Sequence, residues 1–431
     1  MRGAPAAQGA GGLSAARAHW PARGGGAGAR RRGSEMGAPA FCAGSAACKV
    51  ALFVLTLFLF FYVSSTGGRG GAGALAGEAG AGEAAGLRGG GGAAGAPSPA
   101  FADPNCRTVW CKSSRNEFHF ALVADLDRQS KVTDAKGRTY WRSWWKQGTL
   151  RRQESGDAEG EPAWVVQWSS AEQELSSQLA EDGRGLELSE LVTWRSRLWT
   201  FDDRTGVVFE LDRQFVCVPR YILMEGDGNN SKGQKTEWAT EKDGNLVVGS
   251  FGKPYTNNKG EVTTRNNLWV SVISPAGDVS HEDWTERYNR MQRETDSVFP
   301  GYMIHEAIHW DAIHRLWYVL PRRVSRAPYD EKLDETMGSN LLLVFSEDFS
   351  RLEKKIAVGA SVPTHGWSSF KFVPWTNNKV IMGLRTMEIE DKVTGKGEQR
   401  TFLTLFDVNG DVFLPEQEIP GAHKYEGLEF L

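Results

Sequence analysis

The chain is 431 residues long, with 50 lysines and arginines against 53 aspartates and glutamates and a formal net charge of −3. That balance offers no basic face for DNA or RNA, so nucleic acid is set aside as a partner. Fifteen of the 16 tryptophans lie at or beyond Trp110, which places the foldable core behind a long N-terminal portion.

Residues 1–49 carry Arg17, Arg23, Arg30, Arg31, Arg32 and Lys49, and then VALFVLTLFLFFYV runs apolar over residues 50–63. With Ser64, Ser65 and Thr66 the run reaches the minimum length of a bilayer helix. The excess of positive charge before it predicts a cytoplasmic tail (1–49) and a single-pass type II signal anchor (50–66) with the body lumenal. A cleaved signal peptide is the competing reading, but its apolar run belongs within the first 15–30 residues. A short span suits the thinner membranes of the early secretory pathway. Residues 67–116 are dominated at first by Gly and Ala, too poor in large apolar side chains to offset their ordering entropy, and are expected to form a flexible stem. Cys42 and Cys48 face the cytoplasm in this topology. Cys106 and Cys111 either close a small loop or stay free, and Cys217 is left single. Asn229-Asn230-Ser231 is a glycosylation sequon with Asn229 as acceptor.

From Phe118 onward, short stretches rich in Val, Trp, Tyr, Phe and Leu are broken by turns such as KDGN, VNGD and TNNK. Helical periodicity is limited to residues 170–179 and 282–294. The body, 117–431, is therefore expected to be all-β. Five segments share one grammar, a polar residue opening an apolar strand, then a turn, then a second strand: LSELVTWRSRLWTFDDRTG, TEWATEKDGNLVVGSFGK, IHEAIHWDAIHRLWYVLPRR, WSSFKFVPWTNNKVIMGLRT and YEGLEFL. Repeats of this length are single four-stranded blades, and their radial array is a β-propeller. Such a ring closes by pairing strands from both ends of the body. KYEGLEFL is thus expected to pair with the stretch at 118–127, burying Tyr425, Leu428 and Phe430 while Glu426 faces the channel.

The opening residues of the five segments are Ser189, Glu237, Glu306, Ser368 and Glu426. Taken singly, each is an ordinary strand cap. Gathered at one level of a ring, three carboxylates repel one another unless protonated or neutralised by a cation. An all-oxygen donor set favours Ca²⁺ first and Mg²⁺ second. Groups suited to phosphate lie close by in sequence: Arg184, the polar turn containing Asp203 and Arg204, and Arg322 in PRR. Asp125 and Asp127, two apart in ADLD, are expected on one side of a strand.

ALVADLD, GRGLELSELV, DDRTGVVFEL, EWATEKDGNLVVG, GYMIHEA, VPTHGWSSFKFVP and KYEGLEFL together resemble the calcium-activated nucleotidase (apyrase) family. The resemblance implies a five-bladed propeller with a central calcium site, hydrolysing nucleoside diphosphates, UDP and GDP in preference and triphosphates as well. It puts Ser189, Glu237, Glu306, Ser368 and Glu426 in the calcium shell. It lines the substrate pocket with Asp125, Asp127, Arg184 and Arg322, and the polar turn adds Asp203 and Arg204 as candidate substrate-binding residues. Where the family has Asp after the Ser of this motif, the chain has Glu190, expected near the metal or in catalysis together with Asp125 and Asp127. It further implies work in the endoplasmic reticulum and Golgi, where removal of UDP supports glycosylation and proteoglycan synthesis, and calcium-linked homodimers. Two rivals remain, a calcium-stabilised binding propeller without catalysis and a propeller glycosidase built on two carboxylates.

Overall fold

The computed structural model describes residues 114–153, 163–257, 261–390 and 397–431. The tail, the anchor, Cys106, Cys111 and nearly all of the stem lie outside the described residues. Among those described, no helix is long and apolar enough to cross a membrane.

Five antiparallel sheets follow one another along the chain. The first is formed by β1 (Glu117–Asp125), the short β2 (Lys131–Thr133), β3 (Thr139–Gln153) and β4 (Ala163–Ser177). The second contains β5 (Leu188–Trp194), β6 (Arg197–Asp202), β7 (Val207–Leu211) and β8 (Cys217–Ile222). In the third, β9 (Trp238–Lys242) and β10 (Asn245–Gly249) precede an inserted hairpin, β11 (Tyr255–Thr256) with β12 (Val262–Thr264), before β13 (Trp269–Ile273) and β14 (Val279–Asp283). Helix α1 (Thr285–Glu294) leads to the fourth, β15 (Tyr302–Asp311), β16 (Leu316–Ser325), β17 (Leu341–Ser346) and β18 (Leu352–Ala357), with the single turn α2 (Glu331–Asp334) between β16 and β17. The fifth is β19 (His365–Phe372), β20 (Val380–Glu390), β21 (Gly397–Asp407) and β22 (Val412–Glu418). The last strand, β23 (Lys424–Phe430), returns to the first sheet and pairs antiparallel with β1, Phe120 opposite Phe430 and Leu122 opposite Leu428. The architecture is the expected five-bladed β-propeller, closed by strands from both ends of the body.

Local chemistry explains the blades. Lys242 pairs with Asn245 across a two-residue loop in which Asp243 has φ 51° and Gly244 φ 84°, the left-handed pair that matches the twist of a tight hairpin. The strands then bury both faces. On β17, Leu342 and Val344 pack with Trp367, Phe370 and Ile381 of the fifth blade, while Leu343 and Phe345 pack with Trp238, Val247 and Val270 of the third. A strand sandwiched in this way reads as a continuous apolar run rather than an alternating one. Among the described residues there are five such inter-blade cores, one for each pair of neighbours. At the closure, Tyr425, Leu428 and Phe430 join Phe118, Phe120 and Leu122 of β1 against Met382, Leu384 and Leu405 of the fifth blade.

One helical expectation is met and one is overturned. Thr285–Glu294 is a helix that buries Tyr288 and Met291. Residues 170–179 are not helical: β4 runs through to Ser177, paired with β3 from Trp141 to Gln153. The Ala, Glu, Gln and Leu there favour a helix locally, but the long β3 offers a ladder partner and Leu175 is fully buried by it. A second correction concerns the carboxylate pair. The strand stops at Asp125, and Asp127 opens a short 3₁₀ turn with φ 47°, so strand alternation does not bring the two together.

Candidate active site and metal centre

β5, β9, β15, β19 and β23 are the innermost strands of their blades and stand side by side in a ring. Near its start each breaks register. On β5, Leu188 pairs with Asp202 and Glu190 with Phe201, leaving Ser189 opposite nothing. The same skip leaves out Glu306 on β15, Ser368 on β19 and Glu426 on β23. On the third blade, Glu237 N–H bonds to the carbonyl of Gly249, the residue already paired with Trp238. A β-bulge of this kind re-aims one side chain out of the blade. The five residues that open the sequence repeats are thus the five bulge residues of the ring.

Carboxylate oxygens of Glu237, Glu306 and Glu426 lie within 4.8 Å of one another. The hydroxyls of Ser189 and Ser368 are buried, 1% and 0% exposed, and neither has a hydrogen-bond partner among the described residues. An unpartnered buried hydroxyl is costly in a folded protein. Two of them at the same bulge position of the ring as the three clustered carboxylates make an all-oxygen donor set that fits a hard divalent cation.

Around this ring runs a network of charge. Lys424 Nζ lies 2.5 Å from Asp125 Oδ2, 3.3 Å from Asp127 Oδ2, 3.0 Å from Glu388 Oε1 and 3.6 Å from Glu426 Oε1. Arg322 donates to Glu306 (2.5 Å), Glu388 (2.5 Å), Thr386 Oγ1 (2.5 Å) and Glu426 (3.3 Å). Lys235 joins Asp203 to Glu237, 2.9 Å from the latter. Arg184 pairs with Glu187 and lies 3.3 Å from Asp127. Among the described residues, Asp125, Asp127, Glu187, Asp203, Glu237, Glu306, Glu388 and Glu426 are ion-paired by Arg184, Lys235, Arg322 and Lys424, and Arg323 also acts on Glu306 and Glu388. Eight acids thus meet five bases in a largely buried space, and protons or cations must make up the difference.

The titration behaviour follows from that imbalance. Burial pushes Glu237 up to about 8, against the opposing pull of Lys235 and with added repulsion from Glu306. Burial likewise raises Glu306 and Glu426. Asp125 is raised by burial and by Asp127, whereas Lys424 holds Asp127 below the usual carboxylate range, so Asp127 is the ionised member of that pair. Glu388 is also held low: burial opposes its charge, but Lys424 and Arg322 together prevail.

The remaining expected residues separate by place. Asp125 and Asp127 meet at Lys424, and Asp127 N–H donates to Asp125 Oδ1 at 2.8 Å. Glu190 turns away from the three-glutamate group. Its carboxylate accepts from Ser369 Oγ (3.1 Å) and Leu191 N–H (2.8 Å) and lies 3.1 Å from Lys371 Nζ, and burial raises its pKa to about 7. Arg204 is directed to the Glu181–Asp182 loop, at 3.9 and 3.8 Å. Asp202 braces the turn that presents Asp203, accepting from the N–H groups of Leu186 and Arg204 and from Thr205 Oγ1.

Lys235, Lys424, Glu187 and Glu388 escape the sequence reading, which has Arg323 only as part of PRR. Arg323 is 3% exposed, its Nε and Nη1 make no hydrogen bond among the described residues, and Asp334 is 3.6 Å away. The doublet Arg322-Arg323 carried a signal for it, and Lys424 stood two residues before Glu426. Lys235 stood likewise before Glu237, so charge flanking the repeat's opening residue was the available clue.

A family model described as apyrase matches residues 126–431, from the turn after β1 to the last residue of the ring. The chain belongs to the apyrase family. Among its apyrase relatives, it is 41% identical to soluble calcium-activated nucleotidase 1 of Rattus norvegicus over 314 residues, covering 73% of this chain and 74% of that protein. It is 39% identical to an apyrase of Cimex lectularius, covering 73% of this chain and 82% of that one. Apyrase apy-1 of Caenorhabditis elegans is 35% identical, with 73% and 84% covered. The matched region of this apyrase contains every ring residue and every charged partner named above except Asp125, which directly precedes it.

Proposed function

We propose that this apyrase is a calcium-dependent nucleoside diphosphatase, acting on UDP and GDP in preference and on triphosphates as well. The observation that carries the reading is the bulge ring, three clustered glutamates with two unpartnered hydroxyls, set against basic side chains suited to phosphate. The relatives named as calcium-activated nucleotidase support calcium as the ion.

In this reading Glu237, Glu306, Glu426, Ser189 and Ser368 hold the calcium. Bound there, it would supply Lewis-acid polarisation of a phosphoryl oxygen. The protein's own groups do the rest. Arg184 and Arg323 offer N–H donors to phosphate oxygens and offset charge that builds up as the phosphoanhydride bond breaks. Asp127, ionised and partly exposed, orients the attacking water and takes its proton, while Asp125 and Lys424 fix its position. Water adds to the terminal phosphorus, the bridging oxygen leaves with the nucleoside monophosphate, and inorganic phosphate is released. Arg322, saturated by Glu306, Glu388, Glu426 and Thr386, positions the ring carboxylates. Asp203 positions Lys235 in the same manner. Glu190 sets the hydroxyl of Ser369 beside Ser368 and so acts on the calcium shell from behind.

We place the body in the lumen of the endoplasmic reticulum and Golgi behind a type II anchor, where removing UDP would sustain glycosyl transfer. Asn229, exposed in its loop, is the proposed glycan acceptor, and calcium-linked pairing of two copies belongs to the same proposal. Phosphate release from UDP and GDP, measured with calcium and with chelator, tests the reading. Calcium-dependent release is expected. Release that persists unchanged in chelator would remove calcium from the mechanism, and no release from any nucleotide would leave the binding propeller or the glycosidase.

A further inference from the structure

A cavity of about 200 Å³ opens where the insertion after β10 meets the segment after β16, lined by Lys253, Gln292, Phe299, Tyr302 and Tyr329. We propose that this cavity receives the base of the nucleotide whose phosphates are held at the ring, an inference that rests on the nucleotidase reading above and adds a specificity site to it.

Position is the first support. Tyr302 lies on β15 four residues before Glu306, at most about 13 Å at the rise of a regular strand, within the span of an extended nucleoside diphosphate. Tyr302 Oη donates to Asp334 Oδ1 at 2.6 Å, and Asp334 Oδ2 lies 3.6 Å from Arg323 Nε, next to Arg322. The cavity is thus tied to the phosphate-side arginines by a chain of polar contacts.

Chemistry is the second. Tyr302 and Tyr329 meet edge to face, ring centroids 5.3 Å apart at 73°, and form an aromatic corner. Phe299 stands 67% exposed at the rim, a large apolar ring left in water. Lys253 is only 7% exposed, its ammonium 4.0 Å from the Tyr329 centroid and bonded to the Pro254 carbonyl at 3.1 Å. One of its three donors is used there, leaving donors for a base carbonyl. Buried Gln292 adds an amide that both donates and accepts, the complement of a base edge. An aromatic corner with a few polar groups is how proteins grip a planar heterocycle. The volume of about 200 Å³ is room for a planar heterocycle.

The test compares the non-hydrolysable α,β-methylene analogue of UDP with methylenediphosphonate, which has no nucleoside, by calorimetry in calcium. The wild type should bind the analogue more tightly. Tyr329→Leu and Lys253→Met should each weaken the analogue roughly tenfold and leave methylenediphosphonate unchanged, with Tyr329→Phe restoring the wild-type value. The inference is overturned if the wild type does not distinguish the two ligands, if the variants bind the analogue as the wild type does, or if both ligands weaken equally. Analogue binding of the expected pattern in a protein that releases no phosphate from UDP would sink the hydrolase reading while supporting the base site.

Discussion

The innermost strands have two halves that behave differently. At their starts, Ser189, Glu237, Glu306, Ser368 and Glu426 sit at register breaks among ion pairs and unpartnered hydroxyls. Further along, Val192, Ala239, Ile308, Phe370 and Leu428 lie in regular ladders and pack into the inter-blade cores. The regular halves contribute apolar burial that offsets the cost of gathering like charges in the bulged halves. Stability and chemistry are therefore segregated along single strands, and substitutions on the two sides should have separable effects.

The largest effect tests whether the ring depends on closure. Deleting residues 425–431 removes the buried Tyr425, Leu428 and Phe430, each stabilising by about 1.5–3 kcal/mol, and opens the edge of β1. We expect loss of cooperative unfolding by calorimetry. A truncated protein that keeps the full-length thermal midpoint would show that β23 does not close the structure.

Next, Leu343→Ala should cost about 2–5 kcal/mol in denaturant unfolding by leaving a cavity between the third and fourth blades. The calcium midpoint of the folded protein should not move. A shift in that midpoint would mean that the two halves are coupled rather than segregated.

Ser368→Ala is the complementary change. Its buried hydroxyl has no partner among the described residues, so stability in chelator should rise, by up to about 1–3 kcal/mol. Calcium affinity should fall several-fold. Unaltered calcium affinity would take Ser368 out of the shell.

The smallest effect concerns Lys253, whose pKa burial lowers to about 8. The unfolded chain binds the proton more readily between that value and about 10.4, so this residue's cost to stability is greatest at and below pH 8 and fades as pH rises. Lys253→Met should raise the thermal midpoint at pH 7, by an amount that vanishes toward pH 10.5. A gain that is independent of pH would point to packing instead.

Much of this division was legible in the residues, and for a physical reason. A bulge repeated at one place in five blades must carry a recurring residue type, so Ser189, Glu237, Glu306, Ser368 and Glu426 stood out by position. The apolar runs between them revealed blades because both faces are buried. Glu187 and Glu388 were not legible, since each serves the ring from a different element with no repeated position, and Lys235 and Lys424 were marked only by standing two residues before Glu237 and Glu426. Residues 170–179 misled because helix propensity is local, whereas the ladder that claims them is contributed by β3. Arg322 was expected in the substrate pocket from its residue type and from the family resemblance. Its partners show a guanidinium already occupied by carboxylates, with Arg323 beside it retaining unused donors.

The central claim is that the bulged glutamates hold a calcium ion. Calcium titration of the thermal midpoint, wild type against Glu306→Gln, measures it most directly. The variant removes one negative charge and one strong oxygen donor from the group within 4.8 Å. The half-saturating calcium concentration should rise at least tenfold, with activity recovering in part at high calcium. Equal calcium midpoints for Glu306→Gln and the wild type would contradict the account.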